Sequence, residues 1–456
     1  MKIIVCVKIV NGEINPFDES ALECALQMSN DVTVMTMGPK SCVNELKLLT
    51  RLGPEAVLIS DDVYAGSDTL ATSYILSTAI KRMEYDLILC GRQSVDGDTA
   101  QVGPMLSNKL GIPLITNAMK VDCTDNRVTA DTRDRAESVS LPALVTVERG
   151  YVLRFPSIFS KVKEVEILDN SKLCCDESKC GFSGSPTKVI EVFENERGKR
   201  KCKYIKKDEL IPLIQKLTEC NKMRVEENEI KVEKKLKKVW AIGEEVIEKA
   251  KNISGDVMYI EKQAPEAIAE KASKEKPNVI LWNADLWGRR NAPIVASILE
   301  TGLCADCTML DVDDDGLIMY RPARGGNVTA KIKCQTLPQM ATVRTKSESS
   351  DIIVSGGKGV ADNIEGLYKF AEKIGAELGA SRGLVDCEKA PYDRQIGLTG
   401  KTVSPKIYIA IGISGAVQHT CAIEGADTVI AINPDKEARI FEYADYGIID
   451  SFDNIN

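Results

Sequence analysis

The chain has 456 residues, a net charge of −8, 44% apolar, 28% charged and 5% aromatic residues; this suits two to four ordinary domains and argues against a general nucleic-acid surface or a stacking platform for single strands. Its fifteen cysteines, with no secretory signal, point to free thiols and a cytoplasmic setting, and no stretch approaches the ~20 apolar residues of a membrane span. The single histidine, His419, excludes any site built from several imidazoles.

Residues 2–7 read as a buried strand. Residues 18–28 have helical spacing, with Ala21, Leu22, Ala25 and Leu26 on one face. A strand follows at 32–37, ending in the turn Gly38-Pro39, then a helix at 41–52 with Ser41 as N-cap. Strands at 56–60 and 87–90 alternate with helices at 69–83 and 99–110. This β-α alternation predicts a parallel sheet covered by helices on both faces, with ligands at the carboxyl ends of its strands. From about 161 to 238 the rhythm breaks: Cys174, Cys175 and Cys180 sit in a polar stretch, and charge runs occupy 194–203 and 231–238. Residues 195–236 therefore read as a charged arm or linker. The pattern restarts with strands at 239–243, 257–260 and 279–282 and a helix at 292–300. A third unit begins near 349, with strands at 352–354, 407–411 and 428–432 and helices at 363–378 and 417–423. The two halves share a rhythm, which suits two related α/β units in one polypeptide.

Several segments carry chemistry. Ile352-Ile353-Val354 runs into Ser355-Gly356-Gly357-Lys358-Gly359. A strand, a Gly-rich turn and a helix let backbone N–H groups approach a diphosphate, or simply make a tight turn. Lys358 adds a point charge. Further along stand Gly379-Ala380-Ser381-Arg382, then Arg394-Gln395-Ile396-Gly397-Leu398-Thr399-Gly400-Lys401, then the run Tyr408 to His419, and finally Asn433 at a strand end. In the first half, Asn15-Pro16-Phe17-Asp18-Glu19 is an ordinary helix start with carboxylates in its first turn. Gly91 to Pro104 brings a strand end, a turn rich in donors and acceptors, and a helix N-terminus together. Backbone N–H groups and Thr99 could receive a nucleotide phosphate there; the plainer reading is a polar capping turn.

In this order the C-terminal segments resemble the alpha subunit of electron-transfer flavoproteins, whose flavin domain carries a Y-I-A-x-G-I-S-G-A-x-Q-H signature, here Tyr408 to His419. Residues 321–327 resemble the family's R-P-A-F-G-G-N, with Arg324 at the Phe position, and residues 338–344 match as well. Asn15-Pro16-Phe17, Gly91 to Pro104 and Gly184-Ser185-Pro186-Thr187-Lys188-Val189 resemble the beta subunit. The chain thus looks like both subunits fused. The resemblance implies an α/β fold of Rossmann-like, adenine-nucleotide-hydrolase-like parallel sheets in three units. Residues 1–194 would form a beta-like nucleotide-binding domain, 195–236 the arm, 237–346 an alpha-like domain and 347–456 a mobile FAD-binding domain.

The resemblance also implies roles. FAD in the last domain would be held by Lys358, Ser381, Arg382, Gln395, Ile396, Gly397, Thr399, Ser414, Gly415, Gln418, His419 and Asn433. Arg382 would lie over the isoalloxazine face, Thr399 on N5 and His419 on the N1/O2 side, where negative charge gathers on reduction. A second site of Cys6, Asn15, Phe17, Met37, Gly91, Gln93, Asp96, Thr99, Gln101 and Val102, with Arg321 nearby, would hold AMP in a simple carrier or a second FAD in a bifurcating one. The stretch from Asp96 to Pro104 looks like the bifurcating type. The implied function is electron transfer between a donor and a partner such as an acyl-CoA dehydrogenase-like flavoprotein or ferredoxin, with NADH oxidation if the protein bifurcates. The alternatives are a one-FAD, one-AMP relay and a non-redox adenine-nucleotide-binding protein, which would be colourless. Two departures stand out: residues 9–14 are short where the family has a longer hairpin beside its nicotinamide site, and the partner loop around 154–163 is shortened and carries Phe155, Ile158 and Phe159. Cys304-x-x-Cys307 has metal or redox spacing, but it lies inside a G-L-x-A-D-C-T stretch that the family shares, and reads as packing. Cys174, Cys175 and Cys180 lack a clear fourth ligand.

Overall fold

The strand Lys2–Cys6 is buried after its first residue, as a central strand covered on both faces must be. It pairs in parallel with Asp31–Met37 and with Leu87–Gly91. The computed structural model describes residues 1–132, 135–194, 200–220, 236–324, 328–345, 350–398 and 400–454. Its contacts divide into two units: Met1–Phe193 with Val232–Arg324 and Thr329–Arg344, and Glu194–Lys231 with Gly325–Val328 and Thr345–Asn456.

The first unit contains two sheets built on one plan. In the nine-stranded sheet, Asp31–Met37, Lys2–Cys6, Leu87–Gly91, Ala143–Val147 and Leu114–Thr124 lie side by side. Ranked along the chain, these five run second, first, third, fifth, fourth. The five-stranded sheet repeats that order with Val257–Ile260, Val239–Ile242, Val279–Asn283, Gln339–Val343 and Leu303–Cys307. Each set is parallel throughout. In the first, Leu114–Thr124 continues into the antiparallel strands Arg127–Thr132 and Ala136–Ser140. In the second, Met309–Asp313 pairs antiparallel with Gly316–Ala323, and Val328–Cys334 and Thr187–Glu194 extend that separate sheet.

These sheets share one apolar core. Leu70 and Met105 of the first half pack with Trp240, Ile280 and Trp282 of the second. Asn108 Nδ2 donates to Ser297 Oγ at 2.9 Å, and Arg290 holds Glu137 at 3.0 Å and the Leu114 carbonyl at 2.8 Å. Through this core Met1–Phe193 and Val232–Arg324 with Thr329–Arg344 make one compact unit. Cys304 and Cys307 are buried in a second cluster, with Leu317, Met319 and Ala330.

The second unit is a six-stranded parallel sheet in the order Lys203–Tyr204, Tyr446–Ile448, Thr428–Ile432, Ile407–Ile411, Ile352–Gly356, Glu377–Ala380. The described part of the stretch expected as a linker belongs to it. Lys203–Tyr204 pairs with Tyr446 and Gly447, and Leu210 and Ile214 of the helix Leu210–Cys220 enter the core beside Phe370 and Phe452. The flanking charge runs concealed an apolar face: Leu210, Ile214 and Leu217 recur at helical spacing.

Local chemistry moved several boundaries. The hairpin Ile9–Val10/Glu13–Ile14 closes on Asn11 (φ 53°) and Gly12 (φ 81°), the left-handed pair of the tightest hairpin turn. Ser41 caps nothing; it lies within the 3-10 turn Lys40–Cys42, and the helix Val43–Thr50 follows directly. The helix expected from 99 begins at Val102, because Asp98 (φ 51°) and Ala100 (φ 54°) hold the chain left-handed just before it. The helix expected over 363–378 ends at Lys373; Gly375 turns at φ 64° and the chain re-enters the sheet as Glu377–Ala380.

Asp68 caps the helix Thr69–Ile80, its Oδ1 accepting from Leu70 N and Ala71 N at 3.0 Å each. Its Oδ2 accepts from the Thr187 N–H at 3.0 Å, tying the helix to the edge strand Thr187–Glu194. Asp68→Ala should lower the stability of the first unit by about 1–2 kcal/mol. Urea unfolding followed by Trp240, Trp282 and Trp287 fluorescence measures this, with Asp68→Asn expected to recover part of the loss.

Candidate functional site

Two groups of polar side chains stand at carboxyl ends of parallel strands. The first lies in the second unit. Ile407–Ile411 runs into the turn Gly412-Ile413-Ser414-Gly415, with Gly412 at φ 63° and Gly415 at φ 84°. The short helix Val417–Thr420 then carries Gln418 outward and His419 inward. Residues 395–398 lie against it: the Ile396 N–H donates to the Ala380 carbonyl at 2.8 Å and the Leu398 N–H to the Gln418 carbonyl at 2.6 Å. Ser381 precedes the turn Arg382–Asp386, and Ser414 and Gln418 are exposed. Ser381, Gln395, Ile396, Gly397, Ser414, Gly415, Gln418, His419 and Asn433 are thus brought to one end of the sheet. Thr399 lies outside the described residues.

The geometry revises some expected roles. The Gly-rich turn does not leave its N–H groups free for a diphosphate. Gly357 N–H donates to the Ile411 carbonyl at 2.8 Å and Gly359 N–H to the Gly412 carbonyl at 3.2 Å. A Cβ at Gly357 would lie 2.1 Å from the Gly412 oxygen, so glycine is needed there for close backbone packing. Lys358 is exposed on that turn. Arg382 Nε pairs with Asp386 Oδ2 at 3.1 Å within its own helical turn. Asn433 Nδ2 donates to the Ile413 carbonyl at 3.0 Å and its Oδ1 accepts from Asp435 N–H at 2.9 Å, so it shapes the Ile413 turn. The Asn433 N–H donates to the Ile448 carbonyl at 3.1 Å, which ties the turn to the neighbouring strand Tyr446–Ile448.

His419 is the chemical centre of this group. Its Nε2 is 2.8 Å from the Tyr408 hydroxyl, and its Nδ1 is buried with no hydrogen-bond partner. Burial pushes its pKa down to about 4, against a smaller upward pull from the Ile396 backbone. The imidazole is therefore neutral at pH 7. Burial raises the Tyr408 phenol, which keeps its proton. With Tyr408 donating to Nε2 the imidazole proton sits on Nδ1; with the phenol turned to the neighbouring Ser355 hydroxyl it sits on Nε2, and a bound acceptor at Nδ1 selects the first arrangement. Nδ1 has no partner in good hydrogen-bond geometry, and the Ile396 backbone is near enough only for a weak upward pull on the ring, so an N–H there is one that a bound group with an acceptor would satisfy better. Of the donor or positive charge open to His419, a neutral ring leaves the N–H donor.

The second group lies in the first unit, around residues 91–102. Asn15 Nδ2 donates to the Gln93 carbonyl at 2.9 Å, and its Oδ1 accepts from Val95 N–H at 3.2 Å. Gln93 Nε2 donates to Asp98 Oδ1 at 3.0 Å. Gln101 accepts from Thr69 Oγ1 at 2.7 Å and donates to the Leu303 carbonyl at 3.1 Å, so its side chain fastens the two halves. Arg321 is buried; it donates to the Ala305 carbonyl at 2.8 Å, the Gly97 carbonyl at 2.6 Å and the Asp98 carbonyl at 2.9 Å. Asn15, Gln93, Gln101 and Arg321 thus build the loop. Cys6 and Phe17 are buried, and Met37, Gly91, Thr99 and Val102 partly so, at the surrounding strand and helix ends. Phe17 also lies 5.6 Å from the Arg149 guanidinium. Asp96 keeps one oxygen on Lys8 Nζ at 2.6 Å, and despite burial Lys8, Ser94 and the Gly97 backbone hold its carboxyl below the usual range. A carboxylate suits a hydroxyl or N–H of a ligand, not its phosphate.

Charge distinguishes this second group. Asp306 bonds Arg289 at 3.0 Å and Arg344 at 3.3 Å, with Arg321 close by. Burial alone would raise its pKa, but these three arginines hold it below the ordinary carboxylate range. One acid among three arginines leaves positive charge at Asp306, set against the carboxylates of Asp96 and Asp98 in the loop itself. Asp18, missed as a functional residue, accepts from Lys8 N–H at 2.7 Å and Gly91 N–H at 3.0 Å, pinning two strand ends. Burial raises its pKa to about 7 despite those bonds. No group of His, Cys, Asp and Glu among the described residues is placed to hold a metal.

The His419 pKa makes the second unit sensitive to acid. Its folded value, about 4, lies below the ordinary 6.5. Stability from the neutral ring is complete above 6.5 and is lost as pH falls towards the folded value, by up to about 3 kcal/mol. Melting curves at about pH 7.5 and about pH 5 should show this loss in the native chain and a shallower one in His419→Gln.

Comparison with known proteins gives this geometry a family. The model of the electron transfer flavoprotein domain matches twice, over residues 3–173 and 233–360. The model of the electron transfer flavoprotein FAD-binding domain matches residues 347–424. Electron transfer flavoprotein subunit alpha of Thermoanaerobacterium thermosaccharolyticum is 41% identical over 230 residues, covering 40% of this chain and 70% of that protein. The same subunit of Megasphaera elsdenii is 40% identical over 228 residues, covering 39% of this chain and 67% of that one. Protein FixB of Rhizobium meliloti is 37% identical over 233 residues, covering 40% and 65%. No described helix is long and apolar enough to cross a membrane. The two matches of one domain coincide with the two sheets of identical strand order, and the third match holds the Tyr408–His419 pair. This chain belongs to the electron transfer flavoprotein family, as an alpha-like, FAD-binding electron carrier.

Proposed function

We propose that the chain joins a beta-like and an alpha-like half in one polypeptide and carries electrons through FAD held in its C-terminal domain. The observation that carries this reading is the buried, unpaired Nδ1 of His419 at the carboxyl end of the sheet, beside the exposed Ser414 and Gln418. These residues fit a flavin. Nδ1–H would meet the pyrimidine acceptors of the ring; Ser381, Ser414 and Gln418, with Lys358, would hold the ribityl and diphosphate portions; Arg382 would leave Asp386 for the ring face; Thr399 would bond N5. Bound FAD supplies the one- and two-electron chemistry. The protein's own part is to place a neutral donor where negative charge gathers on reduction, with no proton change on His419 near pH 7.

We place a second nucleotide at residues 91–102, and take it to be FAD on the resemblance of Asp96 to Pro104 to bifurcating relatives. AMP at that site would make the chain a simple relay. The Asn11-Gly12 hairpin is minimal, so NADH as donor would need another surface. For a protein partner such as an acyl-CoA dehydrogenase-like flavoprotein or ferredoxin, we favour the loop bearing Val152, Phe155, Ile158 and Phe159; Phe155 is 96% and Phe159 86% exposed.

Two measurements test this reading. FAD and AMP released per denatured chain should come to two FAD and no AMP. One of each makes the chain a simple relay, and a colourless protein with neither overturns the flavin reading. Tyr408→Phe keeps the ring packing but removes the donor to Nε2, freeing the imidazole proton to move there. The midpoint potential of bound FAD should fall by about 30 mV, equal to about 1.4 kcal/mol for a two-electron couple. An unchanged potential would show that Tyr408 does not set the tautomer.

A further inference from the structure

A cavity of about 260 Å³ lies in the first unit, bounded by the helix Thr69–Ile80, the end of the helix Val102–Leu110, the turn 178–186, Glu300, and Gln335-Thr336. Its volume falls just below the usual range for drug-sized ligands, so it suits a smaller molecule. Two ammonium groups face one aromatic ring there: Lys109 Nζ and Lys179 Nζ each lie 6.0 Å from the centre of Tyr74. Lys179 has an acid partner, Glu300 at 2.9 Å. Among the described residues Lys109 makes no ion pair within bonding distance; its near contact is the Tyr74 ring. It is partly buried, and Lys179 and Lys81 both repel its charge while Glu300 alone attracts it. Two ammonium groups thus share one carboxylate, which leaves a surplus positive charge at the cavity that an entering anion would balance. Leu70, Ala71 and Pro186 give the rest of the wall an apolar character.

We propose that this cavity binds a small organic phosphate, its phosphate on Lys109 and Lys179 and its carbon body against Tyr74 and Pro186. Lysine is a point-charge phosphate binder, and two of them above one ring set the position without demanding a bidentate fork. The cavity walls come from both repeated halves and from the segment before the strand Thr187–Glu194, so occupancy would fasten all three. This site is separate from residues 91–102 and from the FAD-binding domain, and it does not depend on which nucleotide fills the former.

Trace acetylation of the full chain followed by peptide mapping tests the proposal, with glycerol 3-phosphate as probe. Labelling of Lys109 should fall several-fold and saturably as the probe rises, while Lys373 of the other unit is labelled as before. Sodium chloride at matched ionic strength should give no such protection. Unchanged Lys109 labelling, or equal protection by chloride, overturns the proposal. In a second arm, glycerol 3-phosphate should raise the Tm of the native chain and not that of Lys109→Gln. A full rise in the variant would put the probe elsewhere and overturn the assignment.

Discussion

The first unit depends on a buried guanidinium that bonds only backbone oxygens among its described contacts. Arg321 takes the carbonyls of Ala305, Gly97 and Asp98 at 2.6–2.9 Å. Asp98 and Ala100 sit in the left-handed region, where residues with a Cβ pay about 1–2 kcal/mol each. Such a turn persists only if its surroundings over-determine it. Arg321 does that from one side and Asn15 and Gln93 from the other. Without the turn, the helix Val102–Leu110 would not start where it does, and Met105 would not reach Trp240 and Trp282 in the common core. Loop shape, core packing and the charge near the candidate nucleotide site therefore follow from one side chain.

Much of this was legible in the sequence. Alternating apolar runs showed the parallel sheets, and Asn11-Gly12 marks a tight hairpin by chemistry alone. The repeated rhythm of the two halves became a repeated strand order. The FAD-binding domain was legible from the run Tyr408 to His419. What stayed hidden involved competition between local and tertiary preferences. Leu210, Ile214 and Leu217 stand between the charge runs at 194–203 and 231–238, so a packed helix read as part of a linker. Gly356-Gly357-Lys358-Gly359 has the composition of a phosphate cradle, yet the neighbouring strand end at Ile411 and Gly412 takes its N–H groups. Composition names the residues that can approach a ligand closely; it does not say whether a ligand or another backbone fills the space. Strand order was also out of reach, and with it the pairing that sets Ile448 beside Asn433.

Burial reverses the ordinary behaviour of two ionisable groups. His419 is held neutral by desolvation, so its value at the flavin-binding end is as an N–H donor of fixed orientation. Asp18 is pushed the other way, to about 7, while accepting two backbone N–H groups at the ends of Lys2–Cys6 and Leu87–Gly91. Its contribution to stability is complete below the ordinary carboxylate pKa and is lost as pH rises through about 7. The two units thus respond to pH with opposite sign, and both responses arise where strands end and ligands are expected.

The Arg321 clamp also bears on why both halves lie in one polypeptide. Gly97 and Arg321 are 224 positions apart, and Gln101 reaches Leu303 across the same boundary. If the halves were separate proteins, the loop at 91–102 would be held only while they were associated, and its shape would depend on concentration. Joined, the same contacts form at an effective concentration on the order of millimolar or more, whatever the dilution. The covalent connection adds no contact to the site. It makes the left-handed turn at Asp98 and Ala100 a permanent feature of the fold, and a site that relies on strained backbone gains most from that permanence.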